Sequence, residues 1–276
     1  MRNVLILAAG LLAAACANRV EDDMTVEQLV TLQFSDFQLD EELLTRADAD
    51  VSTIATRLDV WITDGETTQQ VHQAAGDVGY GTVAVTLNKT KTYTVYAVAH
   101  KAAGAATLTD GVIVWPDDKV THSFWYTGNI TPSETTAVEC RMNRIVSMFR
   151  METTDAVPDA VKKFRFLIPQ TFNRWSVTGV GTNQVDRISD VGVNSRREDG
   201  SVVIMLYIIG SDTQTAYDIT VQALDASDNI VQERTIANVP VRNNYKVTAS
   251  GAFFIDSPQA FSFITADWDE FANIAF

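Results

Sequence analysis

Only two cysteines, Cys16 and Cys140, and three histidines, His72, His100 and His122, occur in the 276 residues. Two cysteines cannot make a disulfide framework, and the histidines stand in separate segments with no metal-ligand spacing between any two. A Gly-x-Ser-x-Gly nucleophile turn, a phosphate-binding glycine loop and a dinucleotide fingerprint are all missing. Gly76, Gly79 and Gly81 crowd together, but no strand is expected to lead into them and no helix follows, so they read as a plain loop. Asp117 and Asp118 lack the alternation of ligands that a calcium loop needs and read as a solvated turn. No acid, base, nucleophile, cofactor or metal ligand is nominated, and the chain reads as a non-enzyme. Long helical periodicity is absent as well, which excludes repeated βαβ units. Basic residues are scarce: 21 Lys and Arg against 35 Asp and Glu give a net charge of −14, which opposes nucleic-acid binding.

What is present begins at the amino end. Arg2 is followed by an apolar run from Val4 to Ala15, too short to span a bilayer. A charged start, a short apolar stretch and the small residues Ala13, Ala14 and Ala15 before Cys16 read as a removable signal peptide, residues 1–15. The segment resembles the lipobox of bacterial lipoproteins, with Ala13 where Leu is common; the resemblance implies lipidation of Cys16 and a stable acyl anchor. An ordinary secretory signal leaving a free Cys16 is the alternative. Residues 16–24 read as a polar tether, and Thr25 with Gln28 as a capping box for one helical turn.

Beyond the tether, period-two alternation recurs at Leu32 and Phe34, at Leu58, Val60 and Ile62, at Val83, Val85 and Leu87, and at Tyr93, Val95 and Ala97. Asp64-Gly65, Asn88-Lys89 and Asp110-Gly111 punctuate the runs. This spacing predicts an all-β protein of two tandem antiparallel sandwiches, residues 25–131 and 132–276, with a break between 127 and 136. The second half is expected to hold a strand around Cys140, a strand over 201–209 buried on both faces, a hairpin of 216–224 with 230–236, and a strand over 245–255. A single turn at 158–163 should lead into a strand from Phe164 to Ile168. Cys140 is expected to be a buried small hydrophobe. Arg144 falls in phase with the core residues Cys140, Met142 and Val146, so either a bulge near Asn143 turns it outward or a carboxylate pairs with it. Trp61 lies out of phase with Leu58, Val60 and Ile62 and should face away from their core.

Several segments resemble the fimbrillins and FimB-type fimbrial anchor subunits of Bacteroidales. They are Thr45-Arg46-Ala47, Leu58-Asp-Val-Trp-Ile62, Thr92-Tyr-Thr-Val-Tyr-Ala-Val-Ala99, Arg141-Met-Asn-Arg-Ile-Val146 and Val239-Pro-Val-Arg-Asn-Asn-Tyr-Lys-Val-Thr248. The resemblance implies transthyretin-like sandwiches and a place in a fimbrium at the outer membrane, either as a lipid-held anchor or as a stalk or tip subunit. It further implies cleavage at Arg46 by an arginine-specific protease, other fimbrial subunits as partners, and a host or bacterial surface ligand. The C-terminal segment, with Phe261, Phe263 and Trp268, would be the strand donated to a neighbour. The competing expectation is a surface glycan-binding lipoprotein that stacks sugars on exposed tryptophans.

Overall fold

The computed structural model of the chain describes residues 26–35, 54–255 and 261–267. Its first strands are β1 (Glu27–Ser35), β2 (Arg57–Thr63), β3 (Thr68–Ala74), β4 (Thr82–Asn88), β5 (Tyr93–His100), β6 (Thr107–Thr109), β7 (Val112–Val114) and β8 (Phe124–Ile130). There follow β9 (Ala137–Arg141), β10 (Asn143–Arg144), β11 (Val146–Thr153), β12 (Lys163–Ser176), β13 (Gly181–Gly192), β14 (Val203–Ile209), β15 (Thr215–Leu224), β16 (Ile230–Val241), β17 (Tyr245–Gly251) and β18 (Ser262–Asp267). The protein is an all-β structure of packed sheets.

A five-stranded sheet ordered β10-β8-β5-β2-β3 packs on a three-stranded sheet ordered β4-β1-β9. Alternation accounts for both. Val30, Leu32 and Phe34 of β1, Leu58, Val60 and Ile62 of β2, Val83, Val85 and Leu87 of β4 and Tyr93, Val95 and Ala97 of β5 all point into one core. Burial of one such aliphatic or aromatic side chain contributes about 1.5–3 kcal/mol. The capping box is not used: Gln28 sits in β1, because the period-two pattern through Phe34 can be buried only by an extended chain. β3 does lead into the glycine loop at 76–81, where Gly79 (φ 77°) and Gly81 (φ 88°) take the positive φ that the turn back into β4 requires. β8 runs through Gly128 and Asn129 to Ile130, past the start of the expected break. Residues 137–144 belong to these first sheets: β9 pairs with β1, β10 pairs with β8, and Cys140 and Met142 lie in the first core.

The second half forms one continuous sheet, β16-β15-β12-β14-β11-β17-β18, with β13 and β7 also on β12, folded into two layers. β12 makes the fold possible. Its start, Lys163–Leu167, pairs with β15, whereas Phe172 pairs with Ile209 of β14 and Arg174–Ser176 with β7. Its register against β13 shifts between Ile168 and Thr171, at Pro169, which cannot donate to a ladder, and Gln170 at φ 51°. The bulge bends the ribbon from one layer into the other, around a core containing Phe149, Phe164, Phe166, Ile219, Val247 and Phe253.

Three expectations for this half need adjustment. β14 alternates: Met205 is half-exposed, so the strand is not buried on both faces. β17 ends at Gly251, where Asp155 accepts the backbone N–H groups of Phe253, Phe254 and Ile255 and turns the chain away. Two strand pairs are parallel, β1 with β9 and β11 with β17, each joining the strand that opens its sandwich to one reached much later.

Candidate functional site

β1 is the middle strand of its sheet. It runs antiparallel to β4, from Glu27 opposite Asn88 to Gln33 opposite Thr82, and parallel to β9, from Thr31 opposite Ala137 to Ser35 opposite Arg141. Val30 and Leu32 are fully buried, and so, nearly, is Phe34, whose ring stands edge-on to Tyr126 at 6.1 Å. Cys140 lies directly across from Phe34 on β9 and is buried in the same core. Burial pushes the Cys140 thiol up to about 11, against the opposing pull of its hydrogen bond with Tyr126. Covalently, β1 meets the rest of the sandwich only through residues 36–53.

The flanks of this slot are closed. On the β4 side, two glutamines of β3 stitch the gap between the sheets: Gln69 Nε2 donates to the Thr86 carbonyl at 3.4 Å and Gln73 Nε2 to that of Thr82 at 2.8 Å. Gln73 Oε1 accepts from Gly81 N–H at 3.0 Å. On the other side, the strand through Cys140 crosses at Met142 from the three-stranded to the five-stranded sheet. Two outward carbonyls of β4 are thus satisfied by side chains, which blunts the exposed sheet edge. The first sandwich therefore holds a strand in its middle between two fixed walls.

At the other end of the molecule, β18 lies antiparallel on β17, with Ser262 opposite Ser250 and Asp267 opposite Tyr245. Phe261 packs against the second core, and its ring would stand 2.9 Å from any Cβ placed on Gly251. Phe263 and Ile264 are exposed at 37% and 54%. In this structure the proposed donor is docked within its own sandwich. Cys16, Arg46 and Trp268 lie outside the described residues.

Tryptophans provide no platform for sugars among the described residues. Trp61, Trp115, Trp125 and Trp175 are all buried, at most 5% exposed, in a cluster against the outer face of the five-stranded sheet. Trp61 faces away from Leu58 and Val60, as its phase requires. The expectation of exposed stacking tryptophans fails for these four, because a second apolar layer covers that face.

Sequence spacing did not bring the histidines together, but sheet register does. Asp59, fully buried on β2, accepts from His72 Nδ1 at 2.7 Å, His100 Nε2 at 2.8 Å and the Ala106 N–H at 2.7 Å. The N–H of Ala102 donates to His100 Nδ1 at 3.1 Å, so the ring proton sits on Nε2. His72 Nδ1 and both nitrogens of His100 are committed to structure, and no cluster of three His, Cys, Asp or Glu poised for a metal occurs among the described residues.

Arg144 is not turned outward. It is buried, donating from Nε to His122 Nε2 at 2.9 Å and from Nη1 to Asn244 Oδ1 at 2.6 Å, with its guanidinium 5.1 Å from the Phe124 ring centre. A side-chain carbonyl, a neutral imidazole and an aromatic face are among the groups that meet the charge. Burial first, then the charges of Arg144 and Lys101, push His122 down to about 2. The unfolded chain, with an ordinary imidazole, therefore binds one more proton than the folded one between about pH 6.5 and 2. Stability is expected to fall as pH drops through that window, with a His122 share of up to about 1.4 kcal/mol per pH unit. Urea titrations from pH 7 to 4 check this: the His122→Gln variant should show a shallower dependence.

No family model matches the sequence, and no curated protein matches it. Solved structures do. A candidate polysaccharide-binding protein from Bacteroides thetaiotaomicron overlays with a TM-score of 0.54 at 12% identity, over 87% of this chain and 96% of that one. A candidate adhesin from Bacteroides ovatus overlays with a TM-score of 0.51 at 14% identity, over 86% and 95%. A second candidate adhesin, from Bacteroides thetaiotaomicron, gives 0.51 at 12% identity, over 89% and 98%. At such identities the likeness is one of fold: this chain has the β-sandwich architecture of these Bacteroides proteins.

Proposed function

We propose that the protein is a lipid-anchored structural subunit of a cell-surface fimbria, as anchor, stalk or tip, joining its neighbours by β-strand exchange and contributing to adhesion. The observation that carries this reading is β1 itself. It is a central strand whose three inward side chains, Val30, Leu32 and Phe34, fill core pockets, yet the stretch tying it to the sandwich contains Arg46. One cut there would leave β1 held by main-chain hydrogen bonds and about 5–9 kcal/mol of apolar burial, the currency in which an added strand competes. β18 supports the reading from the other side. It is a terminal strand with Phe263 and Ile264 partly exposed, docked on β17 alone among the described strands. The candidate adhesins of similar fold are consistent with surface attachment. No helix among the described residues is long and apolar enough to cross a membrane, so the lipid at Cys16 is the proposed attachment to the outer membrane.

Two experiments test the proposal. Cys16→Ala is expected to move the protein from the membrane fraction to the soluble one; retention would count against lipidation. Protein released by an arginine-specific protease is expected to form a ladder on unboiled gels, and deletion of residues 260–276 to abolish it. A monomer under all conditions would sink strand exchange. The amino-terminal sequence of protein taken from cells separates the two positions: an anchor begins at acylated Cys16, a stalk subunit at Ala47.

A further inference from the structure

Part of the outer face of the five-stranded sheet is buried as well as the inner one. Trp61, Val98 and Trp125 of that sheet meet Trp115 and Val120 of the β7–β8 connection, together with Ile145, Val146, Trp175 and Ile209 of the second sandwich, in one buried cluster. β7 adds main-chain pairing across the same boundary, Val112–Val114 against Arg174–Ser176 of β12. The chain from β7 into β8 then touches the second sandwich at every other residue. Asp118 Oδ1 stands 3.6 Å from Arg174 Nε. The Val120 carbonyl accepts from Arg187 Nη2 at 3.5 Å, while Nη1 of that guanidinium donates to the Tyr207 carbonyl at 2.6 Å. The His122 ring stacks on Tyr207 at 4.9 Å with the planes 4° apart, and Arg144 ties His122 to Asn244.

We infer that residues 112–124 are a strap that fastens the two sandwiches into a single hinge-free body, which unfolds as one unit and carries tension straight through the junction. Tandem domains that swing are joined by exposed linkers with few contacts crossing between them. This junction has the opposite character, with an apolar core, a strand ladder and a desolvated cation. Arg187 is central to it. Its partners are the Tyr207 and Val120 carbonyls and the Ser189 hydroxyl, and burial pushes its guanidinium down to about 10. Rotation of one sandwich on the other would break the Val120 contact and wet the aromatic cluster. One short segment, residues 112–122, supplies most of these ties, so the lock is local and can be tested residue by residue. It stands apart from strand exchange, because a strap would serve an adhesin that never polymerises.

The test uses the full chain carrying Cys16→Ser and spin labels on cysteines introduced at Thr90 and Ser227, exposed sites in the two sandwiches. A single narrow distance distribution is expected by electron–electron double resonance, broadened in Arg187→Met and in Trp115→Ala. Hydrogen exchange in rising urea gives a second readout. Amides of β2 and β5 should share one opening midpoint with those of β11 and β14, and the two sets should part in the strap variants. If Trp115→Ala does not fold, Arg187→Met alone decides, with Arg187→Lys expected to lie between it and the unchanged chain. A broad distribution or two midpoints in the unchanged protein would overturn the inference, as would strap variants that behave like it.

Discussion

Cys140 is expected to gain at least about a hundredfold in reactivity toward maleimide at pH 8 once the chain is cut after Arg46 and β1 leaves. Burial holds the thiol at about 11, and return to an ordinary value near 9 raises the thiolate fraction by about two powers of ten. Steric opening multiplies that gain, since Cys140 is fully buried next to Phe34 in the closed sheet. A site-specific protease sequence placed at 45–47 makes the cut clean, and urea below the unfolding midpoint of the uncut protein speeds release. Added peptide 27–35 should restore protection, and a peptide of residues 260–276 should do so if the C-terminal segment is the donor. Labelling that stays slow until the whole protein unfolds would mean that β1 is a permanent part of the core, and the slot would lose its proposed role.

Replacing Asp59 by Ala is expected to cost about 3–5 kcal/mol, the largest loss foreseen for a single residue outside the apolar cores. The carboxyl group accepts from His72, His100 and the Ala106 backbone, and both it and His100 are fully buried. Removing it strands two buried donors at once. Asp59→Asn should recover little, because an amide –NH₂ would face another N–H. His72, whose side chain is 43% exposed, can turn to water, so His72→Ala should cost about 1 kcal/mol. Urea midpoints of the three variants check the order; an Asp59→Ala protein as stable as the His72→Ala one would refute the account. Against a typical total of about 5–15 kcal/mol, the Asp59→Ala protein would be marginal.

Residues with a two-residue period revealed themselves in the sequence. β2, β4 and β5 follow their alternation, Trp61 sits on the face its phase dictates, and Cys140 is buried as a small apolar group should be. The β15–β16 hairpin forms around Asp225–Asn229 as the turn residues require. Features that depend on register were silent. Asp59 and His72 are paired across β2 and β3, while His100 is two positions along from Asp59's opposite number, Val98, on β5. No spacing along the chain encodes that meeting. Asp59 nevertheless shares its phase with Trp61, so a buried outer face should have buried the carboxyl group with the indole. Arg144 stayed open for a related reason: its phase placed it in the core, but its partners His122 and Asn244 come from the β7–β8 connection and from the turn before β17. Likewise Pro169-Gln170 signalled a break inside an apolar run, although only the paired strands show that the break carries β12 between two layers.

Ser35 and Glu139, whose side chains meet at 3.2 Å, stand 104 residues apart along the chain. A ribosome delivers the amino end first, so β1 exists long before the strand it must lie beside. Closing so long a loop is entropically costly and slow, and until it closes, β1 lies against β4 alone and its other flank lacks a neighbour. Maturation of the first sandwich is therefore timed by the arrival of residues 137–141, and a newborn molecule passes through an interval in which its own beginning competes with any other extended chain for the same berth.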